Sequence, residues 1–384
     1  MTLRGGQDDR STRVALAKAA SGTVTQRALN RALLARQLLL DRARLTPVDV
    51  VERLAGLQAQ VPRPPFIGLW TRLETFTRQD LTDRLHDRSI VRATMMRGTI
   101  HLVSAADYIA FRPVLHASLV AAPESMFRSA FEGHDLRKIV ASGREFFARP
   151  NTFDALRKHF AERGPKIDAR APAYLVRMHL PLVQIPTADP WGYPASAQFG
   201  LAEEWLRAPV SVASVTPREL VRRYLAAFGP ATPADAQAWS GIQSLRAVFE
   251  ELRSELVTMR DERKRELFDL PDAPRPDEDT PAPVRFIPDY DNVVLGHKDR
   301  SRIIEDEHRP RISTANLQIR ATYLVDGRVA GTWKIDRSRK AATLVLEPFG
   351  RLTKKTSKEL EREAGPLLAF MEPNATTHAI RVAS

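Results

Sequence analysis

Few residues of this chain have types and spacing suited to chemistry. The pair that stands out is Gln58 and Gln60 in "LAGLQAQVPRPPF" (54–66). Two neutral amides one residue apart can donate and accept hydrogen bonds but do not titrate. They fall where an apolar stripe gives way to a proline run. Familiar signatures are absent: the sequence has no P-loop, no dinucleotide glycine fingerprint, no HExxH and no GxSxG. Its nine histidines are scattered without metal-ligand spacing, and His101 in "TIH" reads as a structural histidine rather than a base. The sequence has no cysteine, which excludes disulfides, iron–sulfur clusters, thiolate zinc and cysteine nucleophiles. No cofactor and no metal are expected.

The element that must position the two amides starts at "TPVDVVERLAGL". Thr46 suits an N-cap, Pro47 the first helical turn, and Asp49 the positive helix end. Val48, Val51, Leu54 and Ala55 set the inward stripe, and Gln58 falls on the same side at helical spacing. Gln60 would point away if the helix continued. Val61 precedes Pro62, however, which favours extended chain, and in extended chain residues two apart share a side. Two readings stand. The amides could end the helix by bonding loose backbone groups. Alternatively, a chain leaving the helix near Ala59 could turn both amides toward one place.

Around this segment the pattern is helical with strands between. Leu29, Leu33, Leu34 and Leu38 predict a helix within 25–45, "DLTDRLHDRSIVRAT" (80–94) a third helix ending near Ser89, and "MMRGTIHLVS" a strand or short hairpin over 95–104. Three helices followed by a strand is the order of a winged helix-turn-helix module. The order recurs from "NTFDALRKHFAERG" (151–164) through 171–192, and again from "TPRELVRRYLAAFGPATPADAQAWSGI" (216–242) to 245–256. The helix starts at Thr216-Pro217 and Thr232-Pro233 repeat the chemistry of Thr46-Pro47, with Glu219 and Asp235 in the place of Asp49. Residues 269–283 are rich in Pro and Asp and read as a linker or long loop. Beyond them the character turns β: Asp326-Gly327 between β-rich runs signals a two-residue hairpin, 342–349 a strand, and 354–371 a closing helix. The chain is thus expected to be α+β, mainly α. Its segments are a frayed 1–22, three modules over 23–150, 151–215 and 216–268, the linker, and a β-rich portion over 284–384.

The 384 residues carry 58 Lys+Arg against 46 Asp+Glu, a net +12, which favours a polyanionic partner. Nucleic acid is the first choice and an anionic membrane surface the second; a basic protein with neither partner fits the Arg usage as well. No signal-like N-terminus or membrane-length apolar run is present, so a soluble cytoplasmic protein is expected. "GHKDRSR" places Lys298, Arg300 and Arg302 together, suiting phosphate contacts or a solvated loop. With aromatic residues at 7%, few rings could stack on bases, and Trp333 reads as core.

The chain resembles the AlkZ-like winged-helix DNA glycosylases. The match is carried by "ALNRALLARQLLL", "LAGLQAQVPRPPFIGLWTRL", "MMRGTIHLVSAADY", "FGPATPADAQAWSGI", "IPDYDNVVLGHKDRSRII" and "VDGRVAGTWKI", in that order over about 23–371. The family signature Gln-apolar-Gln reads here Gln58-Ala59-Gln60; the Gln-apolar-Asp of a related branch does not occur. The resemblance implies three tandem winged helices in a C-shaped body around DNA. It also implies a monofunctional glycosylase that excises N7-alkylated purines and, in some members, unhooks interstrand crosslinks. Gln58 and Gln60 would be its catalytic residues, holding a water against the developing sugar cation. With no lysine in the signature, lyase chemistry is not implied. Arg97, at the wing of the first module, is placed to face the lesion, and the tip Asp326-Gly327-Arg328 to probe a groove. Lys298, Arg300, Arg302 and Arg328 are the expected DNA contacts. The partner would be double-stranded DNA carrying alkyl lesions, with no membrane, and the protein a monomer. A non-catalytic winged-helix DNA binder, a regulator or a lesion-sequestering protein, is the alternative.

Overall fold

In the computed structural model the described residues are 23–210, 215–314 and 318–383. The expectation of a frayed 1–22 lies outside them. Helix starts are where local chemistry is clearest. Thr46 with Asp49, Thr216 with Glu219 and Thr232 with Asp235 form reciprocal capping boxes, each with proline in the first turn. Each box gives partners to backbone N–H groups that a helix start leaves open, worth about 1 kcal/mol. They begin the helices Pro47–Arg53, Pro217–Phe228 and Pro233–Ser240.

Among the described residues three sheets are laid down. Strands β2 (Leu57–Gln58), β3 (Ile90–Thr94), β4 (Ile100–Ser104), β5 (Leu182–Gln184) and β6 (Phe199–Leu201) form one in the order β2-β4-β3-β5-β6. Strand β1 (Thr23–Val24) pairs in parallel with β7 (Val257–Asp261), which pairs with β8 (Glu266–Asp269). The third sheet holds β9 (Arg285–Ile287), β10 (Thr322–Val325), β11 (Arg328–Arg337), β12 (Ala341–Pro348) and β13 (Thr377–Val382), covered by the helix Lys354–Met371. Its β10–β11 connection is the expected two-residue turn: Asp326 and Gly327 both take positive φ, 47° and 78°. One face of the first sheet, with Val91, Ala93 and Val103, packs in the same core as Leu220, Tyr224, Phe228 and Trp239.

Several boundaries differ from the sequence reading. The first helix is Gln26–Arg36, broken by Leu38 at φ 55°. The helix from Pro47 stops at Arg53 rather than near Ala59, because Ala55 and Gly56 take φ of 54° and 89°. Gly56 is required there: a Cβ would lie 2.9 Å from Val103 Cγ1. The third helix, expected to end near Ser89, is Arg78–His86, and β3 follows it; β3 and β4 form a hairpin turning at Met95–Thr99. The helices Pro64–Trp70, Ala105–Met126 and Leu136–Phe146 are additions. The segment after Asp269 has no regular structure up to β9 and runs along the first helix, where Arg27, Arg31 and Arg36 donate to the carbonyls of Glu278, Thr280 and Pro274.

Candidate active site

The reversal at Ala55–Gly56 sends the chain into β2, where Leu57 pairs with Leu102 and Gln58 with His101. Residues 288–292 fasten this strand from behind. Asn292 Nδ2 donates to the Gly56 carbonyl at 2.7 Å, and Arg72 grips Asp291 in a buried bidentate pair at 2.9 and 2.8 Å. Gln58 therefore sits on a strand, not on the inward side of a helix. The period that aligns it with Gln60 is two from the start.

Both amides bond the β3–β4 hairpin. Gln58 Oε1 accepts from Arg97 Nη2 at 2.7 Å; Gln60 Oε1 accepts from the Ile100 N–H at 3.2 Å. Gln58 is recessed, 8% exposed, and Gln60 is exposed. Gln60 thus does bond a loose backbone group, but one of a strand rather than of a helix end. Each oxygen keeps a second lone pair, and neither Nε2 has a partner among the described residues.

The surroundings fix these positions. Arg97 takes φ 57°, unusual for a residue with a Cβ, and also donates to the Trp239 carbonyl. Burial without a carboxylate partner pushes its pKa down to about 10, and the nearby charge of Arg300 acts in the same direction. His101 lies fully buried beside Gln58 with Nδ1 against the Thr99 carbonyl at 3.1 Å. Desolvation, then the Arg97 charge, lower its pKa to about 3, so it is neutral at physiological pH. From the opposite face Arg92, 3% exposed, donates to the carbonyls of Ala59 at 2.9 Å and Gln60 at 3.3 Å, and to the Gln184 side chain. Its guanidinium stands 5.0 Å from the Tyr193 ring. Sequence reasoning did not single out Arg92; the available signal was a cation inside the apolar strand "IVRAT". Among the described residues no group of three His, Asp or Glu could hold a metal.

The other candidates divide. Lys298 is exposed and Arg300 half-buried near Arg97. Arg302 is 2% exposed and donates to the Pro230 carbonyl at 2.9 Å, so it is out of reach of a phosphate. Arg328 is half-buried and paired with Glu305 at 2.5 Å. The tip between β10 and β11 is not free to probe a groove. Asp326 is held by Arg27 and Arg31, and the Gly327 carbonyl accepts from Asn30 at 2.8 Å. Trp333 is core, its Nε1 donating to the Ile287 and Thr322 carbonyls at 3.0 Å.

This fold has counterparts. A family model described as DNA glycosylase AlkZ-like matches residues 51–370, and the chain belongs to this family of DNA glycosylases. Among individual proteins, the interstrand DNA cross-link repair glycosylase of Streptomyces sahachiroi is 24% identical over 371 residues, spanning 86% of this chain and 92% of that one. The solved structure of the Streptomyces sahachiroi DNA glycosylase AlkZ is similar with a TM-score of 0.76, covering 94% of this chain and 100% of that chain at 22% identity. At that identity the likeness speaks for the fold.

Proposed function

We propose that the protein hydrolyses the N-glycosidic bond of N7-alkylated purines in double-stranded DNA, interstrand crosslinks included, in base-excision repair or self-resistance to a DNA-alkylating antibiotic. Alkylation at N7 puts positive charge on the purine, so the base leaves neutral and needs no strong acid. The remaining task is to hold a water against the developing sugar cation. Gln58 and Gln60 suit it. Their oxygens are tethered by Arg97 and by the Ile100 N–H, and each retains a lone pair for that water. Neutral amides are poor at expelling an undamaged base, which biases the enzyme toward labile cationic lesions.

The observation that carries the reading is that one hairpin, β3–β4, holds both amide oxygens, Gln58 through Arg97 and Gln60 through the Ile100 N–H, beside a core shared with the third segment. The same reading takes the three rounds of helices as winged-helix modules around DNA; its support is the order of helices before the β3–β4 hairpin. Lys298 and Arg300 are the proposed phosphate contacts. The test is release of 7-methylguanine from duplex DNA by the wild type and by Gln58→Ala/Gln60→Ala. Loss of release in the double variant is expected. Equal release by both would end the assignment of roles, and no release by either, with binding intact, would favour the non-catalytic DNA binder.

A further inference from the structure

A cleft of about 330 Å³ begins at Val61, the residue that follows Gln60 in the chain. One wall is the continuation of the signature strand, with Val61, which is 45% exposed, and Arg63. The other is the loop bearing Asp289 and Tyr290, held to Gly56 at the entry to β2 through Asn292 and to the end of the helix Pro64–Trp70 through the Arg72–Asp291 pair. Ile319 and Ile335 complete its apolar lining. The volume is at the small end of ligand sites and accommodates a single alkylated purine.

Two features mark this cleft as built for a charged ring. Tyr290 takes φ 61°, a conformation an aromatic residue rarely adopts, and it is half-buried, packed against the main core on one side and lining the cleft on the other. Such strain persists where surrounding structure holds it and clusters at functional sites. Second, the charges in the cleft are unevenly matched. Arg63 and Arg337 both pair with Glu372, Lys334 lies 3.9 Å from Asp336 and 3.7 Å from Glu347, and Arg320 lies 3.6 Å from Glu347. Every cation lining the cleft therefore has an acid. Asp289 has no ion-pair partner among the described residues; its Oδ1 accepts from the Ala321 N–H at 3.2 Å. Burial pushes its pKa up, against the effect of backbone hydrogen bonds from Ala321 and from Asp289 itself.

We propose that this cleft is the subsite for the cationic base of the lesion: Tyr290 stacks on the alkylated purine and Asp289 supplies the counter-charge that the neutral glutamine pair lacks. The inference rests on the glycosylase reading and adds where the lesion's positive charge is recognised. It requires discrimination by charge before any bond breaks.

The experiment measures binding with an uncleaved lesion, 7-methylguanine on a 2′-fluoroarabino sugar, against the same duplex without the methyl group; the fluorine suppresses glycosidic cleavage. The wild type is expected to prefer the methylated duplex, and Asp289→Asn and Tyr290→Leu each to lose about tenfold of that preference while binding the unmethylated duplex as before. Asp289→Asn keeps an oxygen for the Ala321 N–H, so it tests charge rather than folding. If the wild type releases 7-methylguanine from ordinary duplex and prefers the methylated probe, yet both variants keep the full preference, the subsite is wrong and the glycosylase reading stands. If the wild type neither releases the base nor prefers the probe, both fall.

Discussion

Arg97 holds the amide oxygen of Gln58 at 2.7 Å with one arm of its guanidinium and the carbonyl of Trp239 with the other. A residue of the β3–β4 turn thereby ties the proposed catalytic strand to the helix Pro233–Ser240. The lower pKa of this guanidinium follows from burial with no carboxylate to answer it, so the contact is made to a neutral amide at some cost in solvation.

Arg97→Lys should lower kcat for 7-methylguanine release about 10- to 100-fold with a small change in KM, because one ammonium cannot span both acceptors and hydrogen bonds from charged groups are worth about 1.5–3 kcal/mol. Single-turnover kinetics on a defined lesion duplex would measure it. An unchanged kcat would show that Gln58 needs no tether.

Arg92→Met should destabilise the protein by about 2–4 kcal/mol, since it strips donors from the buried carbonyl of Ala59 and from Gln184. Arg92→Lys should rescue little, having no planar fork to serve several acceptors. Urea unfolding of the three proteins checks both statements.

Acid should weaken the fold through His101 and His297, which desolvation holds at about 3 in the folded state. Unfolded, each would titrate near 6.5. The unfolded chain therefore takes up these protons first as pH falls. Stability from the two rings is complete above about 6.5 and is lost toward 3, by about 1.4 kcal/mol per pH unit for each histidine. Denaturation at pH 7.5 and 5.0 should show this fall, and His101→Asn should show a shallower one.

Lys298→Ala and Arg300→Ala should each reduce the slope of log affinity against log salt by about one on undamaged duplex, the signature of a lost phosphate contact. Arg302→Ala should leave that slope alone and lower the unfolding midpoint, because its side chain is sealed inside. A salt slope that moves with Arg302 and not with Lys298 would reverse the assignment.

What could be read in advance was what short-range chemistry decides. The Thr-Pro-x-acid starts gave three helix N-termini, and Asp-Gly gave the β10–β11 turn, because caps and tight turns depend on adjacent residues. The end of the Pro47–Arg53 helix was hidden because it is made by left-handed backbone at Ala55, a residue type with no preference for it. The strand Ile90–Thr94 was not singled out because it is buried along its whole length and shows no alternation. The helix Ala105–Met126 carries Pro113 and Pro123 and apolar residues all round, so no stripe announced it. At the site the glutamine pair was visible from its spacing and the resemblance. Arg92 and Asp289 were not, because their meaning lies in what they face across the fold.

The docking of the Asp326–Gly327 tip on the first helix has a consequence for biogenesis. Asn30 donates to the carbonyls of Arg302 and Gly327, and Arg31 pairs with Asp326. The helix Gln26–Arg36 therefore carries buried polar groups whose partners are synthesised 272 to 297 residues later. Nascent chains halted before Gly327 should hold that helix unanchored and open to protease, and protection should arrive only when the last sheet closes over it.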